Sequence, residues 1–115
     1  MMNWERYRLL ALSLDLPRVE EATSWGNPCL KAHVKLWAWW SPQEDAPVFK
    51  VEKEEREMMI EAEPDRFFVT PHYEPHKLIL MRKEAFDEEW AKHQLMKTWG
   101  AMAPKRFPKQ WDEKH

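Results

Sequence analysis

Behind Asn3, the apolar side chains Trp4, Tyr7, Leu10, Ala11 and Leu14 recur at three- and four-residue spacing, which predicts an amphipathic first helix with Asn3 as its cap. Pro17 biases Leu16 away from helical dihedrals, so the helix ends near the Asp-Leu-Pro step. A short acidic link follows. The segments "SWGNPCLKAH" and "KLWAWWSP" are aromatic and apolar, bracketed by Gly26, Pro28 and Pro42, and predict a β-hairpin turning near residues 33–35. "PVFKV" is a third strand. In "EKEEREMMIEAEP" the period changes to helical, with Met58, Met59 and Ala62 as the apolar side and Pro64 as the stop. "RFFVT" and "KLILMR" predict two further strands joined by "PHYEPH". Asp87 then caps a last helix whose stripe is Ala91, Leu95, Trp99 and Met102, weakened by Gly100 and ended by Pro104. Helix, three strands, helix, two strands, helix is the order of an α+β domain, an antiparallel sheet of about five strands with helices packed on it.

At 115 residues the chain predicts one domain, residues 1–115. Its 43% hydrophobic and 33% charged content fits a folded chain rather than a disordered or membrane-spanning one. No apolar run approaches a membrane span, the first residues lack a secretory pattern, and cytoplasmic residence is the expectation. Cys29 is the only cysteine, which excludes an internal disulfide and a cysteine-based zinc cage. In a strand it predicts a small buried side chain rather than a nucleophile. Net charge of −2 supplies no global attraction for nucleic acid or anionic membrane. Eight tryptophans are unusual, because tryptophan serves cores, pockets and stacking platforms alike. Trp37, Trp39 and Trp40 alternate incompletely, so one of them is expected to face outward, where it would suit a partner surface or a homodimer.

His72 and His76 stand four apart, a zinc spacing when a helix aligns the pair. Pro71 and Pro75 rule out that helix, so the stretch is a loop and no metal or other cofactor is expected. The chain has two glycines, Gly26 and Gly100, hence no glycine-rich phosphate loop, and it has no nucleophile elbow. An enzyme is therefore not expected. Between residues 90 and 111, Lys92, Lys97, Lys105, Arg106 and Lys109 occur without an acidic residue and with Trp99, Phe107 and Trp111 among them. Such a run suits a strand-tracking surface, although cations also collect at helix ends because of the helix dipole.

Four segments, "LPRVEEATSWGNPCLKAHVKLWAW", "FKVEKEERE", "EPDRFFVTPHY" and "APKRF", occur in an order and spacing that resemble the MmcQ/YjbR family. The chain departs from that pattern at Leu30, at Val34 where a glycine is common, and at Phe107. The resemblance implies a CyaY-like, double-wing fold similar in topology to the C-terminal domain of the phage transcription factor MotA, and a DNA-binding role. The matching polar residues are Trp25, Lys31, Lys50, His72, Tyr73, Lys105 and Arg106. They are the candidate nucleic-acid or anion-binding set. Because residues 1–89 carry more acidic than basic side chains, nucleic-acid binding is expected to be weak and salt-dependent. If the fold gathers the set, the alternative is a cationic, aromatic-walled pocket for a small anionic metabolite.

Overall fold

The computed structural model describes residues 1–104, which form α1 (Trp4–Ser13), β1 (Val19–Ser24), β2 (Asn27–Ala32), β3 (Lys35–Ser41), β4 (Ala46–Lys50), α2 (Lys53–Ala62), β5 (Phe67–Phe68), β6 (Leu78–Met81) and α3 (Glu88–Met102). The strands make one antiparallel sheet in the order β1-β2-β3-β4-β6-β5. The fold is α+β as expected, but the sheet has six strands rather than five. The additional strand is β1, the segment read as an acidic link. It is an edge strand with Glu20 and Glu21 exposed, so no buried face imposes an alternating pattern on it. β5 is shorter than expected, two residues.

The helix caps follow the sequence. Asn3 Oδ1 accepts from the Arg6 amide at 2.9 Å and Asp87 Oδ1 from the Trp90 amide at 3.1 Å. Helices α1 and α3 pack on β3 and β4, and their stripes supply Tyr7, Ala11, Ala91, Leu95 and Trp99 to a core with Leu30, Trp37, Phe49, Ile79 and Met81. Helix α2 departs from expectation: Met58 and Ala62 are exposed, and its buried side chain is Arg56.

A bulge lies at the centre of the sheet. Leu30 pairs with Ala38 but Lys31 pairs with Leu36, so β3 has one residue more than β2 across this step. Trp37 and Ala38 consequently both join the helix-side core, fully buried, and the parity beyond them is reset. Trp39 turns to the helix-free face while Trp40 packs against the helix side and donates to Asp45 Oδ1 at 3.0 Å. Of this trio Trp37 is fully buried, and Trp39 is the one on the helix-free face, half-buried rather than exposed.

Both hairpins around β2 close with two residues at positive φ, Trp25 (54°) with Gly26 (78°) and His33 (53°) with Val34 (61°), the geometry of a type I′ turn. The tight turn therefore survives the loss of glycine at position 34. It holds a β-branched residue in the left-handed region, with a side chain that is 78% exposed and packs little. His33 is buried beneath α3, where its Nε2 lies 3.1 Å from the Trp99 carbonyl. A carbonyl only accepts, so Nε2 carries the proton and the ring supplies a donor to the last turn of α3.

Replacing Val34→Gly is expected to raise stability by about 1 kcal/mol, since relieved left-handed strain exceeds the extra freedom of the unfolded chain. The thermal midpoint should rise by about 4 °C. A second expectation concerns pH. Burial, followed in size by the opposing Trp99 hydrogen bond and then by the nearby Arg18 and Lys35 charges, leaves the His33 pKa below its ordinary 6.5. The unfolded chain then binds the proton first, so this contribution is whole above pH 6.5 and is lost as pH falls below it toward the depressed folded value. Urea midpoints measured across that window should fall, and His33→Gln should flatten the slope.

Candidate functional site

With the helices on one face, the other face of the sheet has to find cover elsewhere. Part of it comes from residues 69–77, the loop between β5 and β6. Tyr73 inserts from that loop against Ala46, Val48 and Leu80, and its hydroxyl donates to the buried Ser41 Oγ at 2.9 Å. The His72 ring meets the Tyr73 ring edge-on, 4.8 Å between centroids. The loop is built from turns, with the Tyr73 and Glu74 amides donating to the Thr70 carbonyl at 3.0 and 2.8 Å and the His76 amide to Tyr73 at 2.9 Å. His72 and His76 therefore lie on a loop, as their flanking prolines require. Among the described residues no group of three His, Cys, Asp or Glu side chains is close enough to share a metal ion.

Arg56 fixes this loop from beneath. Its Nη1 donates to the carbonyls of His76 and Leu78 at 2.7 and 3.1 Å, and its Nη2 to that of Glu74 at 3.1 Å. The Glu74 carboxylate is looser, 3.8 Å away and mostly exposed. Three carbonyls in three directions match the fork of a guanidinium and not the point charge of an ammonium. Nothing in "EKEERE" distinguishes Arg56 from a solvated helix residue, so sequence reasoning missed it.

Between the loop and the β1–β2 hairpin lies an open cleft of about 950 Å³, near the top of the range of about 300–1,000 Å³ usual for small-molecule sites. Trp39, Leu36 and Leu78 from the sheet, Pro28 and Cys29 from β2, and His72, Tyr73, Pro75, His76 and Lys77 from the loop line it. Trp25 stands at its rim, 98% exposed on the tip of the hairpin, because the type I′ turn leaves a tip residue nothing to pack on.

Lys50 enters from the end of β4, where the Gln94 side chain of α3 donates to its carbonyl at 2.7 Å and the Val51 amide donates to Lys77 at 3.1 Å. It is half-buried rather than directed to solvent, and burial, with the Lys35 charge second, lowers its pKa below the ordinary 10.5. Among the described residues no carboxylate lines the cleft, whose basic members are Lys50, Lys77, His72 and His76. Cys29 is buried in its strand as expected, and burial outweighs the opposing Lys31 charge to push its thiol up.

Of the candidate residues, the fold brings Trp25, Lys50, His72 and Tyr73 to one cleft. Tyr73 acts there as a pillar, its hydroxyl occupied by Ser41. Lys31 is half-exposed and pairs in register with Leu36, yet it does not line the cleft. Lys105 and Arg106, with Phe107, Lys109 and Trp111, lie outside the described residues. In the described part of the basic run, Lys92 pairs with Glu88 and Lys97 with Glu55, and Trp99 is buried with its indole donating to the Pro17 carbonyl at 2.8 Å. His76, to which the sequence assigned no role, lines the cleft.

An antiparallel sheet with helices on one face and a loop-walled cleft on the other defines a small α+β domain with a ligand-sized site. Its family model is YjbR, which matches residues 14–101, and the chain belongs to the YjbR family. No curated protein and no solved structure matches it. Among the described residues no helix is long and apolar enough to cross a membrane.

Replacing Arg56→Lys should lower stability by about 2 kcal/mol, the scale of lost hydrogen bonds from a charged donor. Urea unfolding at unchanged slope would measure it. Amide exchange should quicken first at Tyr73, Glu74 and His76, whose donors belong to the clamped loop; uniform acceleration across the sheet would instead mean that Arg56 supports the whole fold.

Proposed function

We propose that the protein is a binding protein rather than an enzyme, and that its cleft takes a flat ring carrying a phosphate or carboxylate. One observation carries this reading: among the described residues, the cleft that Lys50, His72 and His76 line has no carboxylate on its walls, in a chain with 20 acidic residues. A half-buried ammonium without an opposing charge favours an anion there. Trp25 and Trp39 supply faces on which a planar ring stacks. The binding assignment is supported by two groups that line the cleft: the Tyr73 hydroxyl is engaged with Ser41, and burial pushes the Cys29 thiol up. The lone cysteine supports cytoplasmic residence as part of the same reading.

A nucleotide has this chemistry whether free or within a single strand, so the small-anion reading and the nucleic-acid reading meet at the cleft. Duplex DNA has less support, because Lys92 and Lys97 are paired with carboxylates and Trp99 is buried. A duplex reading rests on Lys105, Arg106 and Lys109.

The test is calorimetric titration with a nucleoside monophosphate, the matching nucleoside, a single-stranded oligonucleotide and a duplex, each at about 50 and 200 mM salt. The monophosphate and the single strand should bind, the nucleoside more weakly, and affinity should fall with salt. Lys50→Met should weaken the phosphate-bearing ligands about tenfold, as loss of one charged contact does. Trp25→Ala should cost about 1 kcal/mol, the lower range for one stacked base. Equal binding by wild type and Lys50→Met would remove the cleft from the reading. Binding by the duplex alone would move the site to the C-terminal run.

A further inference from the structure

We propose that Lys50 captures carbonyl compounds in the cleft as a reversible imine, the ligand being an aldehyde or ketone borne on a flat anionic ring. The inference rests on the cleft reading above and adds a covalent step to it. Lys50 lies near the middle of the sheet, on a strand flanked by β3 and β6, and its backbone is fixed by pairing with Leu78 and by the Gln94 hydrogen bond to its carbonyl. Its side chain thus reaches the cleft from a rigid base, as positioned covalent chemistry requires. Leu36, Trp39 and Leu78 line the same cleft, and Leu78 is the cross-strand partner of Lys50.

Among the described residues the Lys50 ammonium has no hydrogen bond or ion pair, and the charge that acts on it is the like charge of Lys35. Other lysines are held differently: Lys77 by Glu52, Lys83 by Asp45, Lys92 by Glu88 and Lys97 by Glu55. A carboxylate partner keeps an amine protonated and occupied, whereas desolvation and like charge release the proton from Lys50. Of the two lysines that line the cleft, Lys50 is therefore the one whose ammonium is disfavoured by its surroundings and free of a carboxylate. This is the usual way in which a protein makes lysine a nucleophile.

In the reaction the Nζ lone pair adds to the carbonyl carbon and a C–N bond forms. The former carbonyl oxygen takes up a proton and the nitrogen gives one up, leaving a neutral carbinolamine. Further protonation of that oxygen lets it leave as water while the nitrogen lone pair closes the C=N bond, and the resulting iminium nitrogen gives up its proton, returning the one taken up by the oxygen. The sum is amine plus carbonyl gives imine plus water, with no change of oxidation state, and hydrolysis reverses it. His72 and His76, which line the same cleft, carry ring nitrogens able to donate to or accept from the reacting oxygen and nitrogen. The two imidazoles remain available for the ligand's anionic group, whereas Lys77 is engaged by Glu52.

Pyridoxal 5′-phosphate is a suitable probe, since it joins a flat ring, a phosphate and an aldehyde. The full chain is incubated with it near neutral pH, reduced with borohydride to fix any imine, and mapped by peptide mass spectrometry. Lys50 should be labelled ahead of every other lysine by at least about fivefold, as an activated amine is, and Lys50→Arg should lose that adduct without gaining another. Mapping of the wild type decides the matter even if the variant does not fold: labelling spread evenly over exposed lysines, or none at Lys50, overturns the proposal. Pyridoxine 5′-phosphate, in which an alcohol replaces the aldehyde, separates the two readings in a calorimetric titration. If it binds and the aldehyde leaves Lys50 unlabelled, the imine is excluded and the anion site stands. If neither ligand engages the cleft, both readings fail.

Discussion

An arginine residue with 4% exposure is costly unless its donors find oxygen, and Arg56 meets that demand with the carbonyls of His76, Leu78 and Glu74. Those carbonyls belong to one loop and to the strand that follows it. The interaction therefore works in both directions: the loop solvates the charge, and the charge fixes the loop. Without it the segment carrying His72, Tyr73 and Pro75 would have turn hydrogen bonds and the insertion of Tyr73 to hold it. Every cleft residue contributed by the loop depends on this clamp.

The need for such a loop follows from the arrangement of the helices. Two of them pack over β3 and β4 on one face, leaving Val48, Leu80 and Trp39 on the other. The bulge at Trp37 adjusts the division: it gives the helix side two consecutive core residues and returns Trp39 to the open face. A regular strand would place Trp37 and Trp39 on the same face, because side chains alternate with a period of two. The aromatic wall of the cleft is thus a consequence of a backbone irregularity two residues away.

Much of the fold was legible in the sequence, since caps, helical stripes and turn residues act locally. Asn3, Asp87 and the stripe Ala91, Leu95 and Trp99 behave as their spacing requires. Strand β1 was hidden because an edge strand with Glu20 and Glu21 exposed has no hydrophobic face to announce it. Arg56 was hidden because its partners are main-chain carbonyls some twenty residues away, and carbonyls have no sequence signature. The turn at Val34 kept the geometry of glycine without the glycine, the pairing of β2 and β3 overriding local preference. The site was partly legible through family resemblance, which marked Trp25, Lys50, His72 and Tyr73. It did not separate the pillar, Tyr73, from residues that face the cavity, because that distinction lies in the bond to Ser41.

Charge shows why totals mislead at this scale. The chain is net negative, with 20 acidic residues, and its mean field repels anions. Those acids are arranged elsewhere: Glu54 and Glu55 in the first turn of α2, Glu88 and Glu89 in that of α3, and Glu20 and Glu21 on the edge strand, positions where helix dipoles or solvent stabilise them. The face they leave contains Lys50, partly desolvated and facing no acid in the cleft. In water such a lysine would be an ordinary surface charge. Within walls of tryptophan, leucine and proline its field is less screened, and over the few ångströms that a bound ligand samples, this local sign outweighs the distant total.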